Sequence, residues 1–234
     1  MIGLDTDMPS LLAACAFFLG IHIIISGSPL RGLIVGRIGE RPYLGLFSLL
    51  SLAGMVWLVQ AYAHADRVWL WSAPMALHWA AAVLVLVAFQ LVVIGLTTPS
   101  PTAALGESRL ELAEPAQGVL RITRHPFLWG VALWAVTQLA LNGDAASLAL
   151  FGTLLILALI GPLLIDAKRR RGFGANWERF AAVTSNVPFA AITQGRNSLR
   201  LSEIGGWRVA AGVATWAVFL AIHGWLFGVS ALPN

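Results

Sequence analysis

The chain is short of the residues on which most soluble chemistry is built. Only 11% of its 234 residues are charged, against about 25% in an ordinary soluble domain. It has a single cysteine, Cys15, which excludes an internal disulfide and a CxxC metal site. It contains no HExxH, no GxSxG and no glycine-rich phosphate loop, so zinc-protease, α/β-hydrolase and P-loop chemistries have no motif to stand on. No short covalent-haem motif is present either, so any haem is held by coordination and packing. No tandem repeat and no soluble second domain can be picked out, and residues 1–234 read as one domain.

What the chain has is apolar residues, 58% of the total, with a mean hydropathy of +0.79. Several uninterrupted apolar runs approach the length that spans a bilayer. The fold class is therefore all-α, a polytopic membrane bundle of six transmembrane helices. The spans fall at about 10–26, 43–63, 76–96, 126–141, 146–165 and 207–229. Leu12 to Cys15 resembles a lipoprotein cleavage box, but the basic start is missing and the apolar run follows the cysteine, so span one reads as a retained helix. Asn142-Gly143-Asp144 is a tight turn that returns the fifth span antiparallel to the fourth. Between 166 and 206 the chain is polar, yet Trp177, Phe180, Phe189 and Ile192 are mixed among the charges, which suggests a segment lying on the membrane surface. Ten tryptophans suit interfacial belts or an aromatic-lined pocket.

The net charge of +4 does not point to nucleic acid, because the bases lie between the spans. Arg31, Arg37 and Arg41 follow span one; Arg109, Arg121 and Arg124 follow span three; Lys168 to Arg171, Arg179, Arg196, Arg200 and Arg208 follow span five. The opposite loops hold only Arg67. This bias puts the first, third and fifth loops in the cytoplasm and both termini outside. The expected setting is the inner membrane of a bacterium, with the lipid bilayer as the first partner; nothing in the sequence sets an oligomeric state.

The stretch Arg121-Ile122-Thr123-Arg124-His125-Pro126-Phe127-Leu128-Trp129-Gly130 runs from charged residues straight into an apolar span. Proline at the first helical turn costs no hydrogen bond, so a helix starting at His125 or Pro126 holds an imidazole at its mouth. His22 lies near the same end of span one, so the two are at similar depth; His78 and His223 form a second pair towards the other side. Two imidazoles at one depth on different helices can ligate a b-type haem, one on each face of the iron. The plainer alternative is that each ring only bonds a helix-end carbonyl. Cys15, seven residues before His22 and about 10 Å along the helix, offers a minor sulfur option. Asp166, at the inner end of span five, is read as a proton or cofactor contact or as the partner of Arg169 or Arg170. Glu178 and Arg179 read as solvated surface, and the Lys168 to Arg171 run as a topology signal touching anionic lipid.

With these residues placed, the chain resembles the NnrU family, whose members include the plant and cyanobacterial zeta-carotene isomerases. The resemblance covers nearly the whole chain. It is carried by Phe18-Leu19-Gly20-Ile21-His22, Gly45 to Leu52, Arg124 to Gly130, Asn142-Gly143-Asp144, Thr184 to Ile192 with Gly195-Arg196, and His223 to Ser230. It implies haem b ligated by His22 and His125, with Arg124 and Trp129 beside it, an apolar polyene as substrate, and cis–trans isomerisation of a carotenoid double bond gated by reduced iron. A second branch of the family implies instead a non-catalytic haem or redox accessory of nitrite and nitric oxide reduction. Two departures stand out: Phe47 where tyrosine is expected, and Gly224 where proline is expected. A weaker resemblance, on the RHP helix start, Phe173-Gly174, Trp177, Phe180 and Pro188, is to isoprenylcysteine and phospholipid methyltransferases. It implies S-adenosylmethionine at the membrane face, with Asp166 and Glu178 partly matching the expected acids.

Overall fold

The computed structural model describes residues 7–232. Among the described residues there are eight α-helices, three short 3₁₀ turns, one π-helical turn and no strand. In chain order they are α1 (Asp7–Gly20), α2 (Leu30–Ile38), α3 (Glu40–His64), α4 (Met75–Thr97), α5 (Pro126–Leu141), α6 (Ala145–Val183), α7 (Ala190–Thr193) and α8 (Gly206–Phe227). Helix α1 continues without a break into a π-helical turn, Ile21–Ser26. Among the described residues, five helices are long and apolar enough to cross a membrane: Met8–Ser26, α3, α4, α6 and α8. The sixth, α5, is apolar but has only 16 residues, about 24 Å of helix against a hydrocarbon core of about 30 Å.

The helices stand in the spatial order α3, α1, α6, α5, α4, α8, each packed on the next. Helices α5 and α6 are therefore central, and α1 and α5 both pack on α6 rather than on each other. The tightest pairing is α4 with α5, and it depends on small residues. A Cβ added at Gly130 would lie 2.8 Å from the Ala88 carbonyl oxygen and 2.9 Å from the Val92 nitrogen. In a membrane, where lipid is as apolar as leucine, such close backbone approach is a main source of helix association.

The turn Asn142-Gly143-Asp144 forms as the sequence requires. Asp144 caps α6 by accepting from the Ser147 amide at 2.9 Å and its hydroxyl at 2.6 Å, and it pairs with Arg67. The Gly143 carbonyl accepts from the amides of Leu70 and Trp71, which fixes the tryptophan-rich loop against this end.

Helix α6 departs from expectation. Span five was placed at 146–165, but the helix runs on to Val183, changing direction at Gly174, whose φ of 43° lies in the left-handed region. The stretch after this break carries Trp177 and Phe180. They do not lie on a membrane surface: both are fully buried against Leu110 and Ala116 of the α4–α5 connection. Burial of two large aromatic side chains outweighs the charges beside them. Of those charges, Glu178 pairs with Arg170 at the surface, while Arg179 donates to the carbonyls of Leu110 and Leu112 in the same connection.

Candidate functional site

The connection before α5 is seated by the segment after α6. The Thr123 hydroxyl donates to the Asn186 carbonyl at 2.6 Å and accepts from the His125 amide at 3.2 Å. The Arg124 amide donates to the Ser185 carbonyl, and the Phe189 amide to the Ile122 carbonyl. The Trp129 indole donates to the Asn186 side chain at 3.2 Å. Two stretches singled out separately in the sequence, Arg121 to Gly130 and Thr184 to Ile192, thus form one unit. Below it, Arg121 binds Glu203 at 2.7 Å and Asn197 at 2.7 Å. The Arg121 guanidinium, helped by the Gly118 amide, holds the Glu203 carboxyl down from 4.5 to about 2.

His125 is buried, and its Nε2 lies 2.7 Å from Asp166 Oδ1. Arg124 donates twice to the other oxygen, from Nε at 2.9 Å and Nη2 at 2.7 Å. Asp166 therefore serves the RHP stretch, and the expected pairing with Arg169 or Arg170 does not form; Arg169 takes Glu107 instead. A carboxylate can only accept, so His125 Nε2 carries a proton and Nδ1 is the nitrogen left for any other partner.

His22 sits in the π-helical turn, a geometry frequently found at functional positions. Its Nδ1 lies 2.8 Å from the Phe18 carbonyl and its Nε2 3.1 Å from Ser51 Oγ. The carbonyl fixes the tautomer: Nδ1 donates, and the Nε2 lone pair accepts from the Ser51 hydroxyl. The ring leans on Phe18, with centroids 4.5 Å apart, and meets Phe47 edge-on at 5.2 Å.

Because α1 and α5 do not pack on each other, a cavity of about 340 Å³ remains between them, backed by α6. This lies within the range of ligand sites, roughly 300–1,000 Å³. His22 lines one wall and Phe127 and Leu128 the other, with Leu157, Gly161 and Ile165 of α6 behind. His125, Arg124 and Trp129 are not in the lining; His125 lies two residues before Phe127. The structure thus brings His125 and Arg124 together on Asp166 and places His22 in the cavity, without contact between the two imidazoles. Cys15 is buried among Leu11, Leu58 and Phe151 and donates weakly to the Ala149 carbonyl.

His78 and His223 hold carbonyls through Nδ1, of Pro74 at 3.2 Å and Val229 at 2.8 Å. His78 borders a second, shallower hollow with Val229 and Ser230.

Three features were missed in the sequence. Ser51 and Asn186 lie inside stretches that carry the family resemblance, Gly45 to Leu52 and Thr184 to Ile192, but nothing in the sequence marks either residue out from its neighbours. Lys168, which also lines the cavity, was legible: it continues the stripe Leu154, Leu157, Ala158, Gly161, Leu164 and Ile165 at helical spacing.

No three His, Cys, Asp or Glu side chains converge to hold a bare ion among the described residues. Haem b, which the family resemblance implies, fits what is present. The walls are mostly apolar, and His22 has its Nδ1–H on a carbonyl and an Nε2 lone pair that could exchange Ser51 for a metal, the pattern of metal-bound histidines.

Sequence comparison agrees in direction. The chain is 28% identical over 182 residues to the chloroplastic 15-cis-zeta-carotene isomerase of Arabidopsis thaliana, covering 76% of this chain and 49% of that protein. It is 26% identical over 166 residues to the protein of the same name from Zea mays, covering 69% and 45%. The chain thus spans about half the length of the curated relatives it matches. No solved structure matches it. The model of the family described as NnrU protein matches residues 10–231, and the chain belongs to that family.

Proposed function

We propose that this chain is a membrane isomerase that turns a cis double bond of a long apolar polyene, such as a carotene, to trans, using haem b held at the His22 wall of the cavity. One observation carries the reading: an imidazole of fixed tautomer, its lone pair on Nε2, lines a mostly apolar hollow of ligand size. The name borne by the relatives supports the reaction class.

When bound, haem supplies an iron whose reduced state can exchange electron density with a conjugated chain and so weaken one double bond without net oxidation. The side chains do the rest. Phe18 holds the His22 ring through its carbonyl. Ser51 keeps the Nε2 lone pair occupied until a stronger partner arrives. Asp166 and Arg124 hold the His125 ring so that Nδ1 is its only lone pair, the nitrogen it would offer if it served as a further ligand. Phe127, Leu128 and Leu157 exclude water and match an apolar substrate arriving from lipid. The basic end of the bundle faces the cytoplasm in this reading.

The test is purification in detergent after expression with ample haem, together with co-expression in cells that accumulate a cis-carotene. Wild type should show a Soret band with sharp reduced bands and should shift the carotene to the trans isomer. His22→Ala should lose most of both. A colourless protein would overturn the haem reading. The same spectrum with unchanged isomers would overturn the isomerase in favour of a non-catalytic haem protein, and saturable S-adenosylmethionine binding without iron would favour a methyltransferase.

A further inference from the structure

The cavity has one cationic group in its lining, Lys168 of α6. The bases around it have acids of their own: Arg31 pairs with Glu40, Arg169 with Glu107 and Arg170 with Glu178. Lys168 forms no ion pair among the described residues. A half-buried ammonium beside an apolar hollow is costly unless an anion joins it.

Its position along the cavity is as telling as its charge. Helices α1 and α6 run in the same direction, and Gly27 packs on Leu164. His22 therefore lies level with about residue 159 of α6, roughly 13 Å from the backbone of Lys168 at 1.5 Å per residue. Side chains on a helix lean towards its N-terminus, which brings the ammonium back towards His22. Between them the α6 wall is Gly161, Leu164 and Ile165. The site has an imidazole deep inside, a cation at the basic end and apolar surface between.

We propose that this cavity binds an apolar molecule carrying a carboxylate at one end, the acid on Lys168 and the body against His22. Resting on the haem reading above, the molecule is haem and the acid is one of its propionates. An ammonium suits this role because it meets the acid as a compact charge on a long stem and needs no planar fork geometry.

The experiment uses the full chain in detergent micelles, stripped of any bound pigment. It is titrated with haem and with haem dimethyl ester, in wild type, Lys168→Gln and Lys168→Arg, reading the Soret band; circular dichroism and melting confirm folding. Wild type should prefer haem over the ester by about tenfold. Lys168→Gln should bind the two alike, and Lys168→Arg should keep most of the preference. Equal binding of the two by wild type, or an undiminished preference in a folded Lys168→Gln, overturns the proposal while leaving haem binding itself intact. If wild type takes up neither compound, the haem reading has failed. The same proteins are then titrated calorimetrically with oleate and oleyl alcohol. A preference for oleate that disappears in Lys168→Gln keeps the carboxylate site with a fatty acid as its occupant. Equal affinities, or no binding, overturn it.

Discussion

Asp166 lies 2.7 Å from His125 through one carboxylate oxygen and gives the other to Arg124, a residue adjacent in sequence to that histidine. One acid on α6 thus fixes two consecutive side chains at the mouth of α5. All three are largely withdrawn from water, with side-chain exposures of 13%, 1% and 12% for Arg124, His125 and Asp166.

Removing Asp166 should therefore cost far more than removing a surface acid. Breaking a buried pair from one side costs about 3–5 kcal/mol because the partner's charge is stranded. Asp166→Ala should lower the melting temperature sharply, and Arg124→Gln in the same chain should recover part of the loss. Glu178→Ala, whose ion pair with Arg170 is exposed, should change it by no more than about 1 kcal/mol. Equal effects at the two acids would refute the buried role of Asp166.

The close contact of α4 and α5 makes Gly130 intolerant of side chains. Gly130→Ala drives a methyl group against the Ala88 carbonyl and Val92 and should destabilise by about 1–3 kcal/mol. Gly152→Ala on α6, where a methyl group meets nothing within 4 Å, should be neutral or slightly stabilising. Melting curves of the two variants decide this.

Thr123 serves two partners from a fully buried position. Thr123→Val keeps the shape but strands the His125 amide and the Asn186 carbonyl. The expected loss is about 1–3 kcal/mol, with faster proteolysis between 184 and 190. A variant as stable and protease-resistant as wild type would mean that the two segments are not held together as described.

Glu203 should make stability acid-sensitive. Its folded value is depressed from 4.5 to about 2, so its contribution is complete above pH 4.5 and is lost as pH falls towards 2. Wild type should lose stability more steeply than Glu203→Gln across that window, and the two should run parallel above it. Tryptophan fluorescence melts in a buffered detergent series measure the difference, which partial exposure of the carboxylate will moderate.

Much of this was legible because a membrane simplifies a sequence. Apolar runs gave the helices, Pro126 the start of α5, and Asn142 to Asp144 a turn that the structure reproduces. Hydropathy could not reveal what happens where charge and aromatic side chains alternate. Trp177 and Phe180 looked like anchors on a lipid surface but are buried under the bundle, since only tertiary packing shows that Leu110 and Ala116 lie there. Asp166 had bases within four residues, so local pairing was the natural expectation. The helix instead points it at Arg124 and His125, and its neighbour Arg169 turns to Glu107. The π-helical turn that carries His22 has no compositional mark at all: Ile21 to Ser26 reads as ordinary apolar helix.

The seat of α5 also sets an order of events during synthesis. Its first turn depends on partners at Asp166 and at 185–189, which leave the ribosome some forty to sixty residues later. Since chains fold from the N-terminus as they emerge, α5 must wait, its histidine unheld, until α6 has passed and the following loop has swung back. The end of the bundle that carries the proposed site is therefore locked only after α6 and the loop behind it have been made, and a chain truncated after α6 would contain His22, His125 and Asp166 while lacking the 185–189 segment that seats the start of α5.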